Sequence, residues 1–180
     1  PPGRRLLSEA LEMIDEARPI ITHSMLRPSP LNPRKTFDEL ELIELSKSIR
    51  ERNLIHPIVV RPIGTGAYEI AAGERRWRAI DLLIIDPNAD EWRARPALRV
   101  DRRHNLSDAD MLDIALSENS DRVDPHPLDE ANGYAELVDM RTVNGGKKSK
   151  VVAGIAQRLG KSARYVEIRV QITRKLIDEC

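Results

Sequence analysis

The feature that most constrains this chain is the stretch AYEIAAGERRWRA, Ala67 to Ala79. An apolar, alternating segment that reads as a strand runs into one glycine, and a helical pattern opens at once and continues to about Ile85. HPIVVRP, His56 to Pro62, reads as a preceding strand closed by Pro62, and the turn GTGAY joins the two strands into a hairpin. The glycine therefore marks a helix N-terminus at the end of a sheet strand. A helix N-terminus carries unpaired amides and a partial positive charge. Gly73 lets a ligand approach the backbone closely, and Arg75, Arg76 and Arg78 add guanidinium forks that match phosphate oxygens. The combination suits an anion, most naturally a polyphosphate. Glu74 does not belong in a plain phosphate cradle; it either holds an arginine in place or orients a water or metal. The plainer alternative for GERR alone is a solvated helix start with surface ion pairs.

The 180 residues fit one large domain or two small ones. Basic and acidic residues balance at 29 each, which excludes a uniformly basic surface but not a basic patch on one module. Aromatic residues make up only 3%, too few for a single-strand binder built on stacking. The one cysteine, Cys180, supports neither a disulfide framework nor a thiolate metal site, and a reducing cytoplasm fits best. No apolar run approaches the roughly 18 residues of a membrane span, so no membrane role is expected. The opening PPGRRLLSEALEMIDEA is too acidic for a secretory signal. The chain stops within a helical pattern, ITRKLIDEC, as expected of a piece of a longer protein.

Along the chain, residues 1–19 read as a tail with a short amphipathic helix, and Ile20 to His23 as a short strand. RPSPLNPRKTF, with three prolines, reads as loop. FDELELIELSKSIRERN reads as a helix capped by Asp38, with Leu42, Leu45 and Ile49 as its apolar stripe. DPNADEWRA reads as a polar loop and RPALRVD as a further strand. SDADMLDIALSEN is a helix whose Ser107 and Asp110 form a short relative of the capping box. PLDEANGYAELVDMR is another helix, with Pro127 in its first turn. NGGKKS is a linker, followed by two helices split by GKS at 160–162.

Two further stretches bear on the glycine turn. SENSDRVDPHP places Glu118 and Asn119 side by side, with Arg122 after them. A carboxylate beside an amide suits magnesium, which takes oxygen ligands and binds substrate phosphates as well, while the plainer reading of the pair alone is a frayed helix end. LNPRKTF places Arg34 in a rigid loop before a helix. The ordered set of NPR with a following Phe, SIRERNLIHPIVV, AGERRWRA and ENSDRVDPHPLDEANGYAEL resembles the ParB family of DNA-partition proteins over about residues 20–176. The resemblance implies an α+β fold: a small mixed-sheet ParB/sulfiredoxin-like N-terminal domain at 20–117, then an all-helical domain at 118–180. It implies that CTP is the cofactor, with Mg²⁺. Gly73, Glu74, Arg75 and Arg76 would contact phosphates, with Glu74 and Arg76 setting up slow hydrolysis. Glu118 and Asn119 would hold the metal, Arg122 would lie near the phosphates, and Arg34 and Ser48 would line the pocket. The family's usual glutamine, glycine and glutamine are here Asn32, Asn53 and His56, which puts base choice in doubt more than phosphate binding.

VVAGIAQRLGKSARYVEIRVQI has helix-turn-helix spacing at about 151–172. Val152, Ile155, Ala156 and Leu159 lie on one face, Gly160 at the turn, and Val166 and Val170 pack the second helix. Lys148, Lys161, Ser162, Arg164 and Tyr165 are the candidate DNA contacts, since phosphate contacts need local basic charge and recognition helices read bases from their first turns. Arg169 falls where such motifs usually carry an apolar residue. The motif reads as truncated, because further helices usually support one. In ParB relatives this module binds a palindromic site in double-stranded DNA. The resemblance also implies a homodimer closing into a clamp on CTP, and a ParA-type ATPase partner for the N-terminal tail. The rival readings are a site-specific repressor without a nucleotide switch and a ParB-fold small-molecule kinase. Sulfiredoxin chemistry would need a cysteine beside the phosphate loop, and Cys180 is far from it in sequence.

Overall fold

The computed structural model describes residues 18–94, 97–120, 127–143 and 145–178. They form two compact units, one of Phe37–Asn105 with the chain up to Ser29, the other of Pro30–Thr36 and Leu106 onward. The expected helix within residues 1–19 lies almost wholly outside the described residues.

The first unit holds a five-stranded mixed sheet. Strands β1 (Ile20–Thr22), β2 (Leu26–Pro28), β3 (Ile58–Ile63), β4 (Ala67–Ala72) and β5 (Ala97–Arg102) stand in the order β1-β5-β3-β4-β2. β1 runs antiparallel to β5 and β3 antiparallel to β4, while β3–β5 and β2–β4 are parallel. Helices α1 (Glu39–Arg52) and α2 (Glu74–Ile85) pack on each other, and a short helix α3 (Asp90–Ala94) follows. Ile58, Val60, Ile70 and Val100 of the sheet share a core with Ile49 of α1 and Ala79, Ile80 and Leu83 of α2. Asp38 caps α1 by accepting from the Glu41 amide at 3.0 Å. His23, in a one-turn 3₁₀ segment between β1 and β2, stacks on Trp77 at 5.1 Å and hydrogen-bonds its carbonyl.

Three sequence expectations change here. Arg27 and Pro28, read as loop, belong to β2. Proline is tolerated because β2 is an edge strand. Pro62 does not close β3, which continues to Ile63; beyond Val60 the strand pairs only with β4, so one flank makes no ladder for proline to break. Within the polar loop DPNADEWRA, Asp86 takes the Asn88 amide and the chain then turns into α3, with Ala89 buried.

The second unit is all helical: α4 (Asp108–Ser120), α5 (Pro127–Val143), α6 (Lys148–Arg158) and α7 (Ala163–Asp178). The division expected at 117/118 falls earlier in the structure, because α4 buries Leu112 and Leu116 in the same core as Tyr134, Leu137, Ile155 and Val166. Residues 30–36 go with this unit too. Gly133 of α5 meets Leu116 and Pro33 so closely that a Cβ there would stand 2.7 Å from one and 3.2 Å from the other. Ser107 and Asp110 cap α4 reciprocally, the Ser107 amide and hydroxyl donating to the Asp110 carboxylate and the Asp110 amide to the Ser107 hydroxyl. The Ser107 hydroxyl is the main reason the Asp110 carboxyl titrates below its usual value; burial opposes this, and Arg141 and Arg158 add to it.

Candidate functional site

Gly73 is buried and sits at φ 99°, ψ 22°, the left-handed N-cap of α2. The first bond of the helix runs from the Trp77 amide to the Gly73 carbonyl at 3.1 Å. The amides before it have no carbonyl of their own helix to donate to, which is the property that makes a helix start attract anions.

The charged side chains around this turn have separate partners. Arg75, on the solvent side, pairs with the exposed Glu41 of α1 at 2.7 Å. Arg76 lies against Gly73: a Cβ on the glycine would stand 2.8 Å from its Nη2 and 3.0 Å from its Cζ. Its Nη1 donates to the carbonyls of His56 and Pro57 at 2.6 and 2.9 Å. Arg76 thus latches the loop entering β3 to the start of α2. Glu74 is buried, and its Oε1 accepts from Nε and Nη2 of Arg78 at 2.9 and 2.7 Å. Arg78 in turn covers the Phe37 ring at 4.2 Å. The structure therefore places Glu74 as the holder of an arginine one turn on. Ser48 is half-buried on α1.

The remaining candidates belong to the second unit. Arg34 is half-buried; its amide bonds the Asn32 side chain at 3.0 Å and its Nε the Thr36 carbonyl at 2.9 Å. Glu118 is exposed and Asn119 half-buried in the last turn of α4. Arg122 lies outside the described residues.

In the helix-turn-helix, every apolar position expected from spacing is buried: Val152, Ile155, Ala156, Leu159, Val166 and Val170. Gly160 takes φ 62°. The amides of Gly160 and Lys161 return to the carbonyls of Gln157 and Ala156 at 3.4 and 2.9 Å, a Schellman closure of α6. Ser162 then caps α7 by accepting from the Tyr165 amide at 3.1 Å. Lys148 and Arg164 are exposed, and Lys161 lies over the Tyr165 ring at 5.6 Å. Tyr165 itself turns inward, to Glu130, rather than outward with the other candidate DNA contacts. Burial, then the bond to Glu130, push its hydroxyl above the usual tyrosine value.

A family model for the ParB N-terminal domain matches residues 9–120. The chain belongs to the ParB family. A nucleoid occlusion protein of Geobacillus kaustophilus is 35% identical over 160 residues, covering 89% of this chain and 50% of the relative. Stage 0 sporulation protein J of Bacillus subtilis is 35% identical over 164 residues, covering 91% of this chain and 51% of the relative. The chain thus spans about half the length of these curated relatives. Among solved structures, the C-terminally truncated chromosome-partitioning protein ParB from Caulobacter crescentus, complexed to the centromeric parS site, matches with TM-score 0.58 and 30% identity. That match covers 86% of this chain and 71% of the other.

Two residues of this ParB chain, Glu41 and Glu130, escaped the sequence reading. Glu41 pairs with Arg75 from another helix, and nothing local marks it. The Glu74–Arg78 pair was readable, since Glu four residues before Arg is a favourable helical pair. Glu130, 2% exposed, accepts from Tyr134, Tyr165 and Arg169; its trace in the sequence is Arg169 standing at an apolar position.

Proposed function

We propose that this ParB chain belongs to a CTP-dependent DNA-partition protein. Its helix-turn-helix docks on a specific, palindromic DNA site, with Lys148, Lys161, Ser162 and Arg164 toward the duplex. CTP with Mg²⁺ engages the Gly73–Arg76 turn, two copies close into a clamp, and slow hydrolysis of CTP reopens it. A ligand that favours one arrangement of a bistable pair is what such a switch requires.

The observation that carries this reading is Gly73. A buried, left-handed glycine at a helix start, flanked by Arg75 and Arg76, presents backbone amides and positive charge together. Arg75 can change partner easily, because exposed ion pairs such as Arg75–Glu41 are worth only about 0–1 kcal/mol. A triphosphate would replace the Glu41 carboxylate at that guanidinium. Arg76 and Glu74 would enter the chemistry through what they hold, Arg76 the His56–Pro57 carbonyls and Glu74 the Arg78 guanidinium. Glu118 and Asn119 offer oxygen donors only, a set that fits magnesium better than a softer ion. Among the described residues no three carboxylate, histidine or cysteine side chains converge. Arg34, Ser48 and Arg122 are proposed as further nucleotide contacts, and the choice of CTP rests on the family. The DNA reading is supported by the Caulobacter relative, whose structure holds parS. A ParA-type ATPase is the proposed partner of the N-terminal tail.

Calorimetric titration of ATP, GTP, CTP and UTP, each with Mg²⁺, tests the nucleotide half. CTP alone should bind, and Arg75→Ala should abolish that binding while leaving affinity for a short parS duplex unchanged. Equal loss of duplex binding would defeat the modular account. Binding of ATP instead would bring the kinase reading forward.

A further inference from the structure

Glu130 stands in the first turns of α5 with a side chain only 3% exposed. Its two oxygens take three donors. The Tyr134 hydroxyl, from its own helix, donates to Oε1 at 2.9 Å. The Tyr165 hydroxyl and Arg169 Nε, both from α7, donate to Oε2 at 2.8 and 3.2 Å. Arg169 also lies over the Tyr165 ring at 4.4 Å and gives Nη2 to its hydroxyl oxygen at 3.1 Å. The same seam continues with Thr173 donating to Asn132 at 3.2 Å and Arg174 to Asp139 at 2.7 Å.

Polar rungs therefore run the length of the α5–α7 contact. Beneath them the two helices share an apolar layer of Tyr134, Leu137, Val138, Val166 and Val170. Apolar layers tolerate a shifted or rotated helix, provided volume is kept. A buried carboxylate does not: if α7 rotated about its axis, Glu130 would lose both donors from it, since Tyr165 and Arg169 share one helix face, and an unpaired buried charge is strongly disfavoured. Arg169, at a position where an apolar residue would pack as well, serves this pairing.

We propose that Glu130 is a positioning residue for DNA reading. It fixes the register and rotation of α7 on α5, and through them the directions of Ser162 and Arg164 at the start of α7. The proposal rests on the DNA-binding reading above. Buried ion clusters often add little net stability over an apolar replacement. Stability and DNA reading should therefore come apart when the cluster is replaced.

The test uses the chain as it stands and two duplexes of equal length and composition, one carrying the parS site of the Caulobacter relative and one scrambled. In the triple variant Glu130→Leu, Tyr165→Phe, Arg169→Leu, the melting temperature should hold or rise. Discrimination between the duplexes should fall by about tenfold, the worth of one well-placed base contact, with scrambled-duplex affinity nearly unchanged. A triple variant that keeps both melting temperature and discrimination overturns the proposal. Should the triple variant not fold, Tyr165→Phe decides: it keeps the ring and removes one donor. A loss of discrimination at unchanged scrambled-duplex affinity supports the proposal, and unchanged discrimination sinks it. Wild-type protein that does not discriminate would show the DNA reading itself to be wrong, and the proposal would fall with it.

Discussion

Replacing Gly73 by alanine tests the centre of the candidate site without changing its charge. Two costs arise. The first is conformational: at φ 99° an L-residue occupies left-handed space, at about 1–2 kcal/mol. The second is steric: the new Cβ would stand 2.8 Å from Arg76 Nη2 and 3.0 Å from Cζ, so the guanidinium must move. Moving it loosens its bonds to the His56 and Pro57 carbonyls. Charged hydrogen bonds contribute about 1.5–3 kcal/mol each, but in this half-exposed setting water replaces part, leaving roughly 1–3 kcal/mol for the pair. The expected total is about 2–5 kcal/mol, a large share of the roughly 5–15 kcal/mol that stabilises a typical domain. Urea unfolding reads it as a lower midpoint at constant slope. A double-mutant cycle with Arg76→Ala separates the parts. Without the guanidinium, Gly73→Ala should cost only the conformational 1–2 kcal/mol, giving a coupling of about 1–3 kcal/mol. Additive costs would refute the contact between Arg76 and Gly73, and a neutral Gly73→Ala would refute the left-handed cap.

Other outcomes follow from single contacts. Glu69, buried on β4, accepts from Arg61 at 2.7 Å and Ser29 at 2.6 Å, so Glu69→Ala should cost about 3–5 kcal/mol in chemical unfolding by removing the buried carboxylate that both donate to. Asp38→Ala should cost about 0.5–2 kcal/mol through the lost α1 cap, with no change in unfolding slope. The Asp110 carboxyl, held low first by the Ser107 hydroxyl, contributes stability that is complete above the ordinary value of 3.8 and fades as pH falls through its lower folded value. Asp110→Asn should therefore be less stable than wild type at neutral pH and converge with it in acid, and a gap that widened in acid would reverse that sign.

The elements legible in the sequence were those that announce themselves locally. The strand ending in Gly73, the Ser107–Asp110 cap and the buried stripe from Val152 to Val170 all follow from spacing and cap chemistry within one turn. The rest depended on distant partners. Pro28 could be a strand residue only because an edge of the sheet lay beside it. Residues 30–36 join the helical unit because Pro33 meets Gly133, a hundred positions along the chain. The arginines of GERRWRA could be read by type as candidate anion ligands, but spacing did not say that Arg76 would donate to two carbonyls.

The turn between α6 and α7 leaves no residue idle. Gly160 and Lys161 close one helix with their amides, and Ser162 opens the next with its hydroxyl. An inserted or deleted residue would undo both ends at once, so the length of this turn has no freedom to drift. Contacts this close in sequence also form quickly, whereas pairing Ile20 with Arg99 must close almost the whole of the first unit. The helical pair should therefore take shape early in folding, while the sheet is completed late, when β1 pairs with β5.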